Sequence, residues 1–106
     1  MKPSINIRAI VEQYFNYWQQ QYPRDDFNEK VMSARLVKKD HYSEQLIPWA
    51  LIQTTEKTEK GDKKSYQVVS LRWQNNDIKS GVLASAKILF VTESLSEAIK
   101  YFTKPF

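Results

Sequence analysis

The pattern of apolar and polar positions predicts a long amphipathic helix near the start of the chain. On a helical wheel of about 100° per residue, eight apolar side chains fall within an arc of about 160°. These are Ile7, Ile10, Val11, Tyr14, Phe15, Tyr17, Trp18 and Tyr22. We expect Ser4 to cap this helix, which would begin at Ile5 and end around Tyr22, because Pro23 disfavours helical dihedrals in the residue before it.

The wheel also makes a prediction about individual side chains. Tyr14 and Trp18 lie in the middle of the apolar arc, so both are expected in the core. The substitution Trp18→Ala is then expected to cost about 3–5 kcal/mol of stability, as cavity-forming changes do. Tyr17 and Phe15 lie nearer the borders of the arc, where a ring can bury one side and keep its other side in water.

Residues 26–39 fit two interpretations. Asp26 and Glu29 have the spacing of a capping box, which would start a second helix. The following "VMSARLVKK" alternates in polarity, with Val31 and Val37 on one side, which is typical of a strand. We favour a short turn followed by a strand and keep the helix as the alternative.

The later runs indicate strands and a final helix. "IPWALIQTTE" and "SYQVVSLRWQ" alternate and predict an antiparallel hairpin whose charged tip, "KTEKGDKK", forms a long solvated loop. "VLASAKILFVT" is apolar on both faces, which predicts a central strand covered on two sides, with a buried helix as the alternative. In "SLSEAIKYF" the capping box of Ser94 and Glu97 begins the last helix.

Together these elements predict one α+β domain over residues 1–106. It has an N-terminal amphipathic helix, an antiparallel β-meander of three to four strands and a C-terminal helix, with both helices expected on one face of the sheet.

Composition narrows the class of protein. The 106 residues are 42% hydrophobic and 26% charged, as in soluble globular domains. No apolar stretch approaches the roughly 20 residues of a membrane-spanning helix, so no membrane contact is expected. The chain has no cysteine, which suits a reducing compartment and predicts a cytoplasmic protein. The net charge of +4 only slightly favours an anionic partner, because basic and acidic residues are interspersed.

The candidate chemistry is sparse. The single histidine, His41, stands beside Asp40 in a polar segment, with no second group spaced to orient it for acid–base work. One histidine without cysteine is a poor ligand set for a transition metal, and two glycines argue against a phosphate-cradling loop. We therefore expect a non-enzymatic protein without cofactor or metal.

The remaining interpretation is a binding protein whose partner is another protein, with strand addition at a sheet edge as one mode. An edge-strand dimer is an alternative of the same kind. A second class is nucleic-acid binding, with the basic hairpin as a wing. The candidate contact residues are Lys57, Lys60, Lys63 and Lys64 on the hairpin, Lys38 and Lys39 beside it, and Trp49 at a strand start. A third class is a small-ligand pocket between the first helix and the sheet, lined by Tyr14, Tyr17, Trp18 and Trp73.

Overall fold

The predicted α+β order of elements is confirmed by a computed structural model, which describes residues 6–42 and 44–105. The elements are α1 (Ile7–Gln21), β1 (Phe27–Lys38), β2 (Leu46–Thr58), β3 (Gly61–Trp73), β4 (Leu83–Thr92) and α2 (Leu95–Phe102), with two short 3₁₀ turns between β3 and β4. The sheet is antiparallel and its strand order, β1-β2-β3-β4, follows the chain. Within the described ranges, no helix is long and apolar enough to cross a membrane.

The first helix is capped by Asn6, whose side-chain oxygen accepts a hydrogen bond from the Ala9 N–H at 3.0 Å. Ser4 and Ile5, the predicted cap and first residue, lie outside the described residues. At the other end Tyr22 closes the helix through its N–H to the Trp18 carbonyl, where the pattern predicted.

The segment after α1 is a turn at residues 25–26 followed by a strand, as favoured from the sequence. The alternative helix started by Asp26 and Glu29 is wrong. Glu29 lies inside β1 opposite Thr54, because this segment buries side chains on both of its sides. Val31 packs towards α1 and Val37 towards α2, so the expectation that they share one side is wrong. A β-bulge between Val31 and Ser33 reverses the alternation within β1.

The two helices lie on opposite faces of the sheet, so the expectation of one shared face is wrong. The alternation along β2 explains the arrangement: Ala50 and Ile52 pack in the cluster with α1, whereas Trp49 and Leu51 pack in the cluster with α2. A strand that is apolar at both parities needs a cover on each side. The domain therefore has three layers, with a core above and a core below the sheet.

The fourth strand is an edge strand, which corrects its predicted central position. It pairs with β3, and no strand lies beyond it in the described part of the chain. Ile88 and Val91 are each 55% exposed, although their apolar character suggested burial. The hairpin tip also differs from the predicted long loop. Its strands continue to Thr58 and Gly61 and leave a two-residue turn, with Gly61 at a φ of +111° that favours glycine.

Candidate functional site

One flank of α1 presents aromatic rings to solvent. Trp18 is 42% exposed and Tyr22 and Tyr17 are more exposed still, so the prediction that Trp18 is a core residue is wrong. The buried line of the helix runs through Val11 and Phe15, four residues apart. The large rings of the flank moved the centre of the predicted apolar arc away from Val11 and Phe15. A helical wheel uses only the residue types of the helix and cannot show which of its sides the sheet covers.

These exposed rings are ordered against one another. The Trp18 and Tyr22 rings are nearly parallel, with centroids 5.7 Å apart, and Tyr17 meets Trp18 edge to face at 5.5 Å. Tyr14 also meets Trp18 edge to face, with centroids 6.4 Å apart. Burial raises the pKa of the Tyr14 phenol. The flank is thus a preformed surface of apolar rings that carry polar tips.

A groove of about 310 Å³ separates this flank from the start of β4. It is lined by Ile10, Gln13, Tyr14, Tyr17, Trp18, Gly81, Val82, Leu83 and Ala84. None of these side chains is charged. We call this the aromatic groove.

The aromatic groove contains three of the four residues that the sequence assigned to a pocket between helix and sheet. The fourth, Trp73, lies elsewhere: its ring is fully buried in the α1-side core, and its Nε1 donates to the Leu46 carbonyl at 2.9 Å. The residues from Gly81 to Ala84, which line the other side of the groove, could not be predicted from the sequence, because their position depends on how β4 pairs with β3.

The edge of the sheet next to the aromatic groove is apolar on its α1 side. Ala86, Ile88 and Val91 stand opposite Leu71, Val69 and Gln67 of β3, which places them on that side. We call these three residues the β4 stripe. All three are exposed, because α1 packs mainly over the other strands.

The opposite edge of the sheet is partly covered. The side-chain amide of Gln19 in α1 donates to the Glu29 carbonyl at 3.1 Å and accepts from the Glu29 N–H at 3.4 Å. It pairs with the outer backbone of β1 as a neighbouring strand would. A cavity of about 490 Å³ lies beside this contact, between the end of α1 and the start of β1. Burial there raises the pKa of Glu29.

The hairpin lysines do not share one surface. Lys57 stands opposite Asp62 and Lys63 opposite Glu56, and the Lys63 Nζ lies 3.2 Å from a carboxylate oxygen of Glu93. Lys63 and Lys64 are neighbours in one strand and so point to opposite faces. Lys60 occupies the turn. The lysines that form one basic run in the sequence are therefore separated in the structure. Some lie beside acidic residues, and others point to opposite faces of the hairpin.

The last predicted contacts are also separated. Trp49 is only 5% exposed, and its ring stacks on Tyr101 of α2 with centroids 5.8 Å apart, so its predicted role as a surface contact is wrong. The proline before it suggested a strand start, but β2 begins earlier, at Leu46, and carries Trp49 into the α2-side core. Lys38 ends β1, and Lys39 lines a separate cavity on the α2 side of the sheet.

His41 lies in the exposed turn after β1. Across residues 6–42 and 44–105, no group of three or more histidine, cysteine or acidic side chains is placed to hold a metal ion. Comparisons with protein-family models, curated proteins and solved structures found no match.

Proposed function

We propose that this chain is a small non-enzymatic binding domain whose partner is another protein, bound through an extended apolar segment that adds to β4. The observation that carries the proposal is the uncharged aromatic groove, which opens beside an uncovered edge strand. The cysteine-free composition makes the cytoplasm the proposed setting.

The backbone of β4 supports strand addition. It is ten residues long and contains no proline, and no further strand pairs with it among residues 6–42 and 44–105. Its ladder with β3 has two register shifts, and the stretch from Ala86 to Ile88 between them is regular. Natural edge strands are usually protected by charges, prolines or a covering element, because their unpaired N–H and C=O groups recruit other chains. Lys87 is the only charged residue of β4, and its pairing with Ser70 places it on the α2 side.

The side chains add selectivity to this backbone pairing. Alternate residues of an added strand would face the α1 side of the sheet, next to the β4 stripe and towards the aromatic groove. Apolar side chains suit that surface, since burying them releases water from Ile88, Val91 and the rings of Tyr17 and Trp18. The domain would therefore select segments with apolar residues at every second position.

A displayed library of random peptides tests this function. We expect the wild-type domain to enrich sequences with alternating apolar residues, and the variant Ile88→Lys/Val91→Lys to lose that enrichment. Tyr42→Lys is the matched control, because Tyr42 is 99% exposed in the connection between β1 and β2. Equal enrichment by the stripe variant and the control would contradict the proposal.

Synthetic versions of an enriched peptide then separate two modes of binding. Methylation of alternate backbone nitrogens removes the hydrogen bonds of an added strand but leaves the side chains in place. Loss of binding supports strand addition, whereas full binding by the methylated peptide indicates a side-chain pocket in the aromatic groove. Sedimentation of the wild-type domain across concentrations shows whether a second copy occupies β4, since self-association would also be lost in Ile88→Lys/Val91→Lys.

A further inference from the structure

A second cavity lies on the α2 side of the sheet, away from the aromatic groove. Its volume is about 270 Å³. The residues around it are Lys39, Gln45, Ile47, Ser70, Leu71, Arg72, Trp73, Asn76, Ser85 and Lys87. Three of these side chains are cations, two are hydroxyls and two are amides, whereas none is a carboxylate. We call this the basic cavity.

The strand register arranges the polar groups of the basic cavity. Ser70 stands opposite Lys87, and Arg72 stands opposite Ser85. Ser70 also pairs with Trp49, whose ring lies in the α2-side core, which fixes the face of all four residues. Directly opposed side chains in such a ladder have Cβ atoms about 5 Å apart and diagonal ones about 7–8 Å apart. Cations and hydroxyls therefore alternate around a small square, with Lys39 beside it.

The cations of the basic cavity have no acidic partner within the described part of the chain. Ion pairs there involve Arg8, Arg24, Lys63 and Lys100, and none uses a cavity residue. Three acids, Asp40, Glu44 and Asp77, stand next to a lining residue in the sequence, and two of them accept hydrogen bonds within their own turns. Asp40 accepts the Tyr42 N–H at 2.8 Å, and Asp77 accepts the Lys79 N–H at 2.9 Å. Cations that share a concave site without counterions attract anions.

We infer that the basic cavity binds a phosphate group. Arginine offers a planar fork of donors to phosphate oxygens, and lysine adds a mobile point charge. The hydroxyls of Ser70 and Ser85 supply further donors, so a tetrahedral anion can be contacted on several oxygens at once. A flat carboxylate would satisfy fewer of these groups.

The size of the basic cavity limits what accompanies the phosphate. Pockets for drug-sized ligands usually enclose about 300–1,000 Å³, and this cavity lies just below that range. It holds a phosphate group and little of the molecule that carries it. The carrier would extend into solvent, and it can be a small phosphorylated compound or the backbone of a nucleic acid.

Titration with pyrophosphate, followed by amide chemical shifts at low salt, tests the site. We expect the largest shifts at Ser70, Arg72 and Ser85, and at least a tenfold weaker affinity for the variant Arg72→Gln/Lys87→Gln. The control is Lys57→Gln/Lys60→Gln, which removes the same charge from the hairpin and is expected to change affinity by less than about twofold. Circular dichroism establishes that both variants are folded.

Two results would overturn the inference. One is the absence of saturable pyrophosphate binding to the wild-type domain, and the other is an equal loss of affinity in the hairpin control, which would indicate general charge attraction. A parallel titration with a single-stranded oligonucleotide distinguishes the sources of phosphate. Tight binding that weakens steeply with salt and depends on Arg72 and Lys87 assigns the site to nucleic acid. Binding of pyrophosphate alone assigns it to small phosphorylated ligands.

Discussion

At the scale of single residues, the structure reverses the predicted positions of two aromatic side chains of α1, because Phe15, expected at the border of the apolar arc, is buried and Trp18, expected in the core, is exposed. Phe15 is 8% exposed in the α1-side core, whereas Trp18 stands on the open flank of the same helix. We expect Phe15→Ala to lower the free energy of unfolding by about 3–5 kcal/mol, as large-to-small changes in cores do. Trp18→Ala should cost about 1 kcal/mol, the value of partly exposed aromatic pairs.

Denaturant melts of the two variants check this order. Because Trp18 is itself a fluorophore, circular dichroism at the helix band is the better signal for both. A larger loss for Trp18→Ala than for Phe15→Ala would mean that the flank is covered in solution, and the aromatic groove would then not be open to a partner.

Glu29 makes stability depend on pH. Burial beside α1 raises its pKa above the ordinary value of 4.5, because the ionised carboxylate is disfavoured there. The contribution of Glu29 to the free energy of unfolding is therefore most favourable at pH values below its ordinary pKa. That contribution is lost as the pH rises through the higher pKa of the folded state. We expect Glu29→Gln to be more stable than the wild type at pH 7 and equal to it below about pH 4.

Melting temperatures of the wild type and Glu29→Gln, measured from pH 3 to pH 8, test the direction of this pH dependence. Glu44→Gln, a change in an exposed connection, should follow the wild type throughout. A Glu29→Gln variant that is less stable at pH 7 would show that the carboxylate forms a favourable contact that outweighs its burial.

At the scale of elements, the helices and strands predicted correctly from the sequence are those that local patterns determine. Period-two alternation gave β2 and β3, and the capping box gave α2, where the Ser94 hydroxyl accepts the Glu97 N–H. An eight-residue helix is unstable alone, and its attachment is long-range. Arg35 in β1 donates to the carbonyls of Phe102 and Lys104. A sequence pattern cannot show that link, nor the side of the sheet that α2 covers.

The difference between local patterns and long-range contacts also explains which residues of the candidate sites were predicted. Tyr14, Tyr17 and Trp18 were predicted as pocket residues because they share one helix, so local periodicity was sufficient. Of the residues around the basic cavity, only Lys39 and Trp73 were candidates from the sequence, because Arg72 and Lys87 become neighbours only through the register of β3 with β4. The hairpin lysines present the opposite case: they are close in sequence, and strand alternation separates them.

At the scale of the whole molecule, one sheet serves two cores. Trp73 is buried in the α1-side core and Trp49 in the α2-side core, and the strands that carry them pair directly. A sheet cannot lose the cover of one face and keep its strands fixed for the other, because alternate residues of the same strands build both cores. We expect both layers to unfold in one cooperative transition.

A substitution in the α2-side core, combined with a fluorescence signal from the α1-side core, tests this expectation. In the background Trp18→Phe/Trp49→Phe, Trp73 is the only tryptophan and reports on the α1 side. Phe102→Ala damages the α2 side and should lower stability by about 3–5 kcal/mol, so the denaturation midpoint from Trp73 fluorescence should fall together with that from circular dichroism. Lys100→Ala, an exposed change in the same helix, should leave both midpoints in place. A Trp73 midpoint that stays fixed while circular dichroism loses amplitude early would mean that α2 detaches alone and that the α1-side core holds the sheet without it.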